Sequence, residues 1–486
     1  MNTKKEQVKI LLAAFEADPF FKSGGLGDVA GSLPRYVASD NYDIRVILPK
    51  LGNIPQKYVE KMEYMENYTV PLGWRNQYCG LFKLHYGGIT YYFIDNEFYF
   101  HRPQAYGEFD DGERIAFFSK AILESIMHIP DFMPDILHCN DWHTALTPVF
   151  LREQYMQVPG FEKIKTIFTI HNLKFQGMFS DTLIGSILGL AGTPAENQIR
   201  MGSAVNYMQG ALKYSDMLTT VSPTYAEEIC TPYFGEHMEG LFNARRASLL
   251  GILNGIDYKV FDPLHDKNID YHYSVQTVTN KKNNKLQIQK ELGLEVDETI
   301  PMYILISRLT EQKGLDLVTY ILPQLMERRM QLVILGIGDQ KYEEAFRWYA
   351  DRNPSKMCAL LQFNAALSNK LYAAGDAILV PSRFEPCGLT QMMAMRYGTL
   401  PIVRETGGLK DSVQPYNEYT GEGTGFSFAN FNAHELLGTI DNSLTVWYEN
   451  PKAWAKMQKQ AMKKDYSWHT SAKQYRKLYR NLAGKL

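Results

Sequence analysis

Short apolar, β-branched runs alternate with helix-length segments along the whole chain, and this alternation limits the fold more than any other feature. In the first half, Ile10–Phe15, Arg45–Leu48, Tyr91–Ile94, Ile136–His138, Thr166–Ile170 and Met217–Val221 read as buried strands; Met302–Ile306, Leu332–Leu335 and Ala377–Val380 follow in the second. Continuous apolar strands separated by helices predict β-α-β units and parallel sheets covered on both faces. At 486 residues the chain exceeds the size at which one core stops growing, so two domains of roughly 200–250 residues are expected. A polar, Lys/Asn-rich stretch, Asp266 to Asn284, separates the two strand series. The domain change is placed just before it, near Asn254-Gly255-Ile256-Asp257, which gives domains 1–255 and 256–467. Open α/β sheets bind ligands beyond the carboxyl ends of their strands, so two such domains predict a shared inter-domain cleft.

Charge and cysteine content exclude several classes. The 51 basic and 53 acidic residues leave a net charge of −2, against broad capture of nucleic acid or anionic membrane. Five cysteines, odd in number and without a C-x-x-C pair, fit a reducing compartment rather than a disulfide framework or zinc cluster. The apolar run Val8–Phe15 leads into Glu16 and Asp18 without a small-residue cleavage pattern, so it reads as a buried strand and not a signal peptide. No apolar stretch reaches the ~20 residues that span a bilayer. The reading is a cytoplasmic protein with no membrane or nucleic-acid partner.

Three loops at predicted strand ends carry the chemistry. Lys22-Ser23-Gly24-Gly25-Leu26-Gly27-Asp28 precedes a helix, where glycines admit a ligand close to the backbone and amides form an anion site. A dinucleotide fingerprint is rejected, because Glu16 to Ser23 intervene between strand and glycines and no acidic residue ends the next strand. Ser307-Arg308-Leu309-Thr310-Glu311-Gln312-Lys313-Gly314 occupies the corresponding point of the second half, and the two loops together read as a clamp for a pyrophosphate. In Pro381-Ser382-Arg383-Phe384-Glu385-Pro386-Cys387-Gly388-Leu389-Thr390, Pro386 keeps Glu385 out of helical geometry. The amides of Gly388, Leu389 and Thr390 then open a helix expected to start near Gly388. Asn140-Asp141-Trp142-His143 and His171-Asn172 end two first-half strands and converge on one sheet edge, which favours a sugar site over isolated structural histidines. A metal site from His138, Asp141 and His143 lacks any supporting H-E-x-x-H or D-x-D motif, so no metal is expected.

These residues resemble the bacterial glycogen synthases and plant starch synthases, over nearly the whole chain. Lys22-Ser23-Gly24-Gly25-Leu26 is similar to their K-x-G-G-L signature. Asn140–His143, His171-Asn172-Leu173-x-x-Gln176-Gly177, Thr220–Pro223, Asn254–Asp257, Arg308 with Lys313, Gly336-x-Gly338-Asp339 and the run Pro381–Gly408 match in order. The resemblance implies a retaining glucosyltransferase of the GT-B fold: two Rossmann-like, doubly wound domains facing an inter-domain cleft, with a C-terminal helix (468–486) packed back on the first. It implies transfer of glucose from ADP-glucose to the non-reducing end of an α-1,4-glucan, with no cofactor and no metal. Lys22 and the Gly25 amide would face the distal phosphate and the acceptor. Asp141 and His171 would contact the donor glucose, with His171 near the anomeric carbon. Arg308 and Lys313 would hold the diphosphate, and Glu385 would hydrogen-bond the glucose. Gly388, Leu389 and Thr390 would bind phosphate through their amides, and Gly407-Gly408 would complete the glucose pocket. Asp28 and Asn254 join the substrate-binding set through their motifs. Gln209 stands where the family pattern has Lys, which leaves that helix's contacts open. The rival readings are a same-fold transferase using UDP-glucose or another acceptor, and a catalytically silent glucan-binding protein.

Overall fold

In the computed structural model, which describes residues 7–485, the chain forms two compact units. The first runs to Val221, resumes over Ala226–Ile252 and includes the C-terminal segment from Trp468; the second comprises Ser222–Tyr225 and Leu253–Ser467. The division after Ile252 falls three residues before the boundary placed at 255.

The first unit is built on a nine-stranded sheet. Its order is Leu249–Gly251, Met217–Thr220, Lys165–Ile170, Ile136–Asn140, Val8–Ala13, Tyr42–Pro49, Ile89–Asp95, Arg75–Tyr86 and Glu63–Leu72. The seven strands from Leu249–Gly251 to Ile89–Asp95 pair in parallel. Val8–Ala13 is the middle strand of the nine, with five of its six residues buried, which is why it reads as an unbroken apolar run. The expectation of a wholly parallel sheet fails at one edge. Glu63–Leu72 and Arg75–Tyr86 form an antiparallel hairpin, and most of its outer strand is exposed, so its sequence carries no continuous apolar signal. The turn requires Gly73, which has a φ of +59° and sits where a Cβ would come within 2.3 Å of the Ser186 carbonyl oxygen.

The last helix, Trp468–Ala483, closes this unit. The Arg476 guanidinium donates to the carbonyls of Tyr36 (2.6 Å) and Val37 (3.1 Å), satisfying the C-terminal end of helix Gly25–Val37. The Tyr479 hydroxyl bonds His138 Nδ1 at 2.7 Å.

The second unit holds six parallel strands in the order Met357–Leu360, Gln331–Leu335, Met302–Ile306, Ala377–Val380, Leu400–Arg404 and Phe426–Phe428. Strand order reverses between Met302–Ile306 and Ala377–Val380, the point at which open α/β sheets leave a crevice beyond their carboxyl ends.

Candidate active site

In the first unit, the strand Val8–Ala13 hands over to helix Gly25–Val37 through a loop that carries Glu16 and Lys22. The Lys22 ammonium donates to Asp28 at 2.6 Å. Burial works against its charge, but Asp28, with Asp18 and Glu16 behind it, outweighs this and raises its pKa. Burial likewise raises Asp28, with Lys22 opposing. Asp28, read as a substrate contact, is therefore the group that holds Lys22. A Cβ on Gly27 would meet the Lys22 Cβ at 2.5 Å, and one on Gly31 would meet the Asp18 carbonyl at 2.3 Å, so both are needed for packing. Gly24 and Gly25 are different: a Cβ on either meets nothing within 4 Å. Their bareness leaves open space over the helix N-terminus, where a ligand approaches the amides. The sequence reading missed Glu16. It is buried, accepts from the Ser23 amide, and burial pushes its carboxyl up to about 7.

Asp141 and His171 end neighbouring strands and meet. Asp141 has a φ of +56°, uncommon for a residue with a side chain. This turns its carboxylate onto the His171 amide at 2.7 Å. Burial pushes that carboxyl up to about 7, against the amides of His171 and Asn172, which favour the charged form. The Asn140 side-chain nitrogen donates to the Ala13 carbonyl at 3.1 Å, and its oxygen lies 2.9 Å from His171 Nε2. That oxygen only accepts, so Nε2 carries the proton and Nδ1 the lone pair. Burial pushes the imidazole down to about 3, so it is neutral across the physiological range. His138 and His143 do not join them. His138 is held between Thr169 and Tyr479 hydroxyls, and His143 stacks on Phe15 at 5.1 Å. Among the described residues, no three His, Cys, Asp or Glu side chains gather as a metal-binding group.

In the second unit, Lys313 and Glu385 come together across the sheet crevice. The Lys313 ammonium lies 2.7 Å from Glu385 Oε2, which also accepts from the buried Ser382 hydroxyl at 2.8 Å. Both line a small hollow of about 60 Å³, with Gly388, Leu389 and Thr390 among its other lining residues. The helix there begins at Thr390, two residues later than expected, because Gly388 takes a left-handed φ of +69°. Arg308 is exposed on the adjoining loop. That loop is fixed by close backbone contacts: a Cβ on Gly314 would lie 2.0 Å from the Pro381 carbonyl, and one on Gly336 1.9 Å from that of Ser307. Gly407 and Gly408 pack just as closely. Cβ atoms there would meet the Glu385 and Cys387 carbonyls at 2.0 and 1.9 Å, and the Gly408 amide donates to Glu385 O at 3.1 Å. Their visible work is to hold the Glu385 turn from behind. Cys387 is buried, and that burial pushes its thiol up to about 12, so it is a packed thiol and not a reactive one. Asn254 is buried beside it, with its side-chain oxygen unpaired. The Gln209 amide bonds the Gln198 and Arg200 carbonyls at 2.7 and 3.2 Å, a local tie between the ends of one short connection.

Two Rossmann-like units, each carrying lysine- and glycine-bearing loops at the carboxyl ends of parallel strands, define a GT-B glycosyltransferase. The starch synthase catalytic domain model matches residues 9–244, and the model for glycosyl transferases group 1 matches residues 287–464. The glycogen synthase of Clostridium acetobutylicum is 48% identical over 97% of this chain and 99% of its own. That of Lachnospira eligens is 49% identical over 97% and 99%. The catalytic domain of starch synthase IV from Arabidopsis thaliana, solved with ADP and acarbose, superposes with a TM-score of 0.89 at 31% identity, over 99% of this chain and 100% of that one. The chain belongs to the glycogen and starch synthase family.

Proposed function

We propose that the chain extends α-1,4-glucans by moving glucose from ADP-glucose to the non-reducing end, with retention of configuration and without a metal. The observation that carries the donor half is the Lys313–Glu385 pair on the wall of the hollow, beside the amides that open the helix at Thr390. Such a hollow offers one carboxylate for sugar hydroxyls and one ammonium with N–H donors for a diphosphate, the two chemistries of a nucleotide sugar. ADP as the nucleotide is supported by the plant relative's bound ADP. Phe363 adds to this reading. It is 82% exposed on the loop after the strand Met357–Leu360, two strands along from Met302–Ile306. At about 4.8 Å per strand the two strands are roughly 10 Å apart, so this loop stands on the side of the hollow to which a nucleobase could extend.

In this reading the bond from the anomeric carbon to the distal phosphate breaks, and its electron pair leaves with ADP. Lys313 and Arg308 stabilise the charge that builds on that phosphate, work for which fixed cations suffice. The acceptor hydroxyl attacks from the side of departure and passes its proton to the leaving phosphate oxygen. In the first unit, His171 is neutral and has a dipole and a lone pair, but no charge, to offer a ligand.

The test is to incubate the purified chain with glycogen and ADP-glucose or UDP-glucose in parallel, in EDTA, and to follow nucleoside diphosphate release. Glycogen-dependent ADP release that survives EDTA is expected. Release of UDP alone would reassign the donor, and loss of turnover in EDTA would overturn the metal-free reading. Glycogen binding with no release from either donor would point to a silent glucan-binding protein.

A further inference from the structure

A roomy recess in the second unit lies away from the Glu385 hollow, along helix Ala433–Glu449. A trough of about 1000 Å³ runs between this helix and the loop Pro415–Tyr419, and continues into a recess of about 320 Å³. Pro415, Tyr416 and Asn442 wall both. On the helix side the lining includes Glu435, Gly438, Asn442, Thr445 and Glu449, spaced three and four apart along one stripe, with Thr439 and Val446 beside it. From Gly438 to Glu449 that stripe is ~16 Å long.

Two features of this trough go beyond an ordinary solvated helix face. Gly438 sits inside the helix, where glycine is unfavourable, yet a Cβ there would meet nothing within 4 Å. Packing does not demand this glycine; it forms part of the floor of the adjoining recess and leaves that end of the trough open. Opposite it, the Tyr416 ring lies against Phe426 (5.9 Å), which lies against Trp454 (6.0 Å), which meets Trp447 (5.1 Å). Tyr416 is thus a rigid aromatic plate, while Tyr419 beside it is 90% exposed. The polar groups of the lining are Asn, Ser, Thr and Glu side chains, with no Lys, Arg or His. Carboxylates without a cation repel phosphates and nucleotides, whereas aromatic faces flanked by amide and carboxylate groups suit a neutral polyol.

We propose that this trough holds a stretch of the α-glucan acceptor remote from its reacting end. The proposal rests on the glucan-extending activity argued above, since a polymeric acceptor always has sugar residues beyond those at the reaction centre. Glucose rings would lie against Tyr416 and Tyr419, with hydroxyls bonded to Asn442 and Glu449. Holding the polymer here raises the local concentration of chain ends without changing the chemistry at any one of them.

Two variants leave the Glu385 hollow intact. Tyr419→Ala removes an exposed ring, and Gly438→Gln fills the floor while improving the helix. Both should be run on native gels cast with and without glycogen, and assayed with glycogen and with maltotriose, too short to reach a remote site. Each should lose retention by glycogen and raise the KM for glycogen roughly 3- to 10-fold, the loss expected for one aromatic contact. The kcat/KM for maltotriose should stay at the parent value. Unchanged retention and unchanged glycogen KM in both variants would overturn the proposal, as would equal losses on glycogen and maltotriose. Retention needs no donor and no turnover. A parent chain held by glycogen through Tyr419 but transferring no glucose would therefore refute the activity and uphold the trough.

Discussion

Glu385 and Lys313 form an ion pair of 2.7 Å in which the carboxylate side chain is 9% exposed and the lysine side chain 20%. The pair is an internal counter-charge: the cation proposed to meet a diphosphate is already neutralised, and the carboxylate proposed to meet sugar hydroxyls is already oriented. Ser382 fixes the same carboxylate oxygen. Removing either partner should reduce glucose transfer by about 100- to 1,000-fold, the usual cost of one preorganised charged contact. The two losses should differ in stability. Lys313→Ala strands a buried carboxylate and should cost about 1–3 kcal/mol, less than a fully buried pair because the lysine keeps some water. Glu385→Gln leaves the lysine free to reach solvent and should cost less. Adding Glu385→Gln to Lys313→Ala should recover most of the lost stability and none of the activity, as denaturant melts and initial rates would show. A double variant no more stable than Lys313→Ala would refute the counter-charge role.

A nucleobase face on Phe363 makes a narrower claim. Phe363→Ala removes a ring that is 82% exposed, so the fold should be untouched. If the ring stacks on the base, the KM for the nucleotide sugar should rise roughly 5- to 100-fold, the range for one base–aromatic stack. The kcat and the KM for glycogen should hold. A donor KM equal to the parent's would remove Phe363 from the site.

How far the sequence was legible depends on whether a contact is local. Strands such as Met302–Ile306 and Ala377–Val380, buried along nearly their whole length, announce themselves as apolar runs. The hairpin Glu63–Tyr86, largely exposed on its outer strand, does not. The loops of Lys22, Lys313 and Glu385 were found because their residue types suit phosphate and sugar. What those residues touch was hidden, since Lys313 meets Glu385 across 72 positions. Burial was equally hidden: Glu16 reads as an ordinary acid after a strand, and only the folded chain encloses it. The sequence places a helix start near Gly388, and only that residue's left-handed backbone moves the start to Thr390.

Buried acids and bases in the first unit predict opposing pH trends. Folded Asp141 keeps its proton up to about 7, against 3.8 for the free side chain. Between those values the native state binds more protons than the unfolded state, so this group's contribution to stability falls as pH rises from 4 to 7. Asp141→Asn keeps an acceptor for the His171 amide and removes the ionisation. Its stability relative to the parent should therefore climb through that window and level off above it, to a gain on the order of 1–3 kcal/mol. The histidines act the other way. Burial holds His138, His143 and His171 at about 3, against 6.5 when free. The unfolded state binds more protons between those values, so parent and variant alike should lose stability as pH falls below 6.5. Thermal melts from pH 4 to 8 would separate the two, and a parent–variant difference constant across pH would contradict the Asp141 assignment.

The sequence echo between Ser23-Gly24-Gly25-Leu26 and Thr406-Gly407-Gly408-Leu409 conceals opposite uses of glycine. Both pairs stand at the start of a helix, but a Cβ on Gly25 meets nothing, whereas one on Gly407 would lie 2.0 Å from the Glu385 carbonyl. Gly407 also has a φ of +45°, strained for any other residue. Gly25→Ala should leave the melting temperature unchanged or slightly higher, because alanine suits a helix start no worse than glycine. It should still cut glucose transfer if a ligand needs the space over that amide. Gly407→Ala must displace the Glu385 turn and should cost about 1–3 kcal/mol of stability, with activity falling because the carboxylate moves. Thermal melts beside initial rates would distinguish them. A Gly25→Ala chain as active as the parent would show that the open space at Lys22 serves no substrate, and a Gly407→Ala chain as stable as the parent would show that the turn yields without strain.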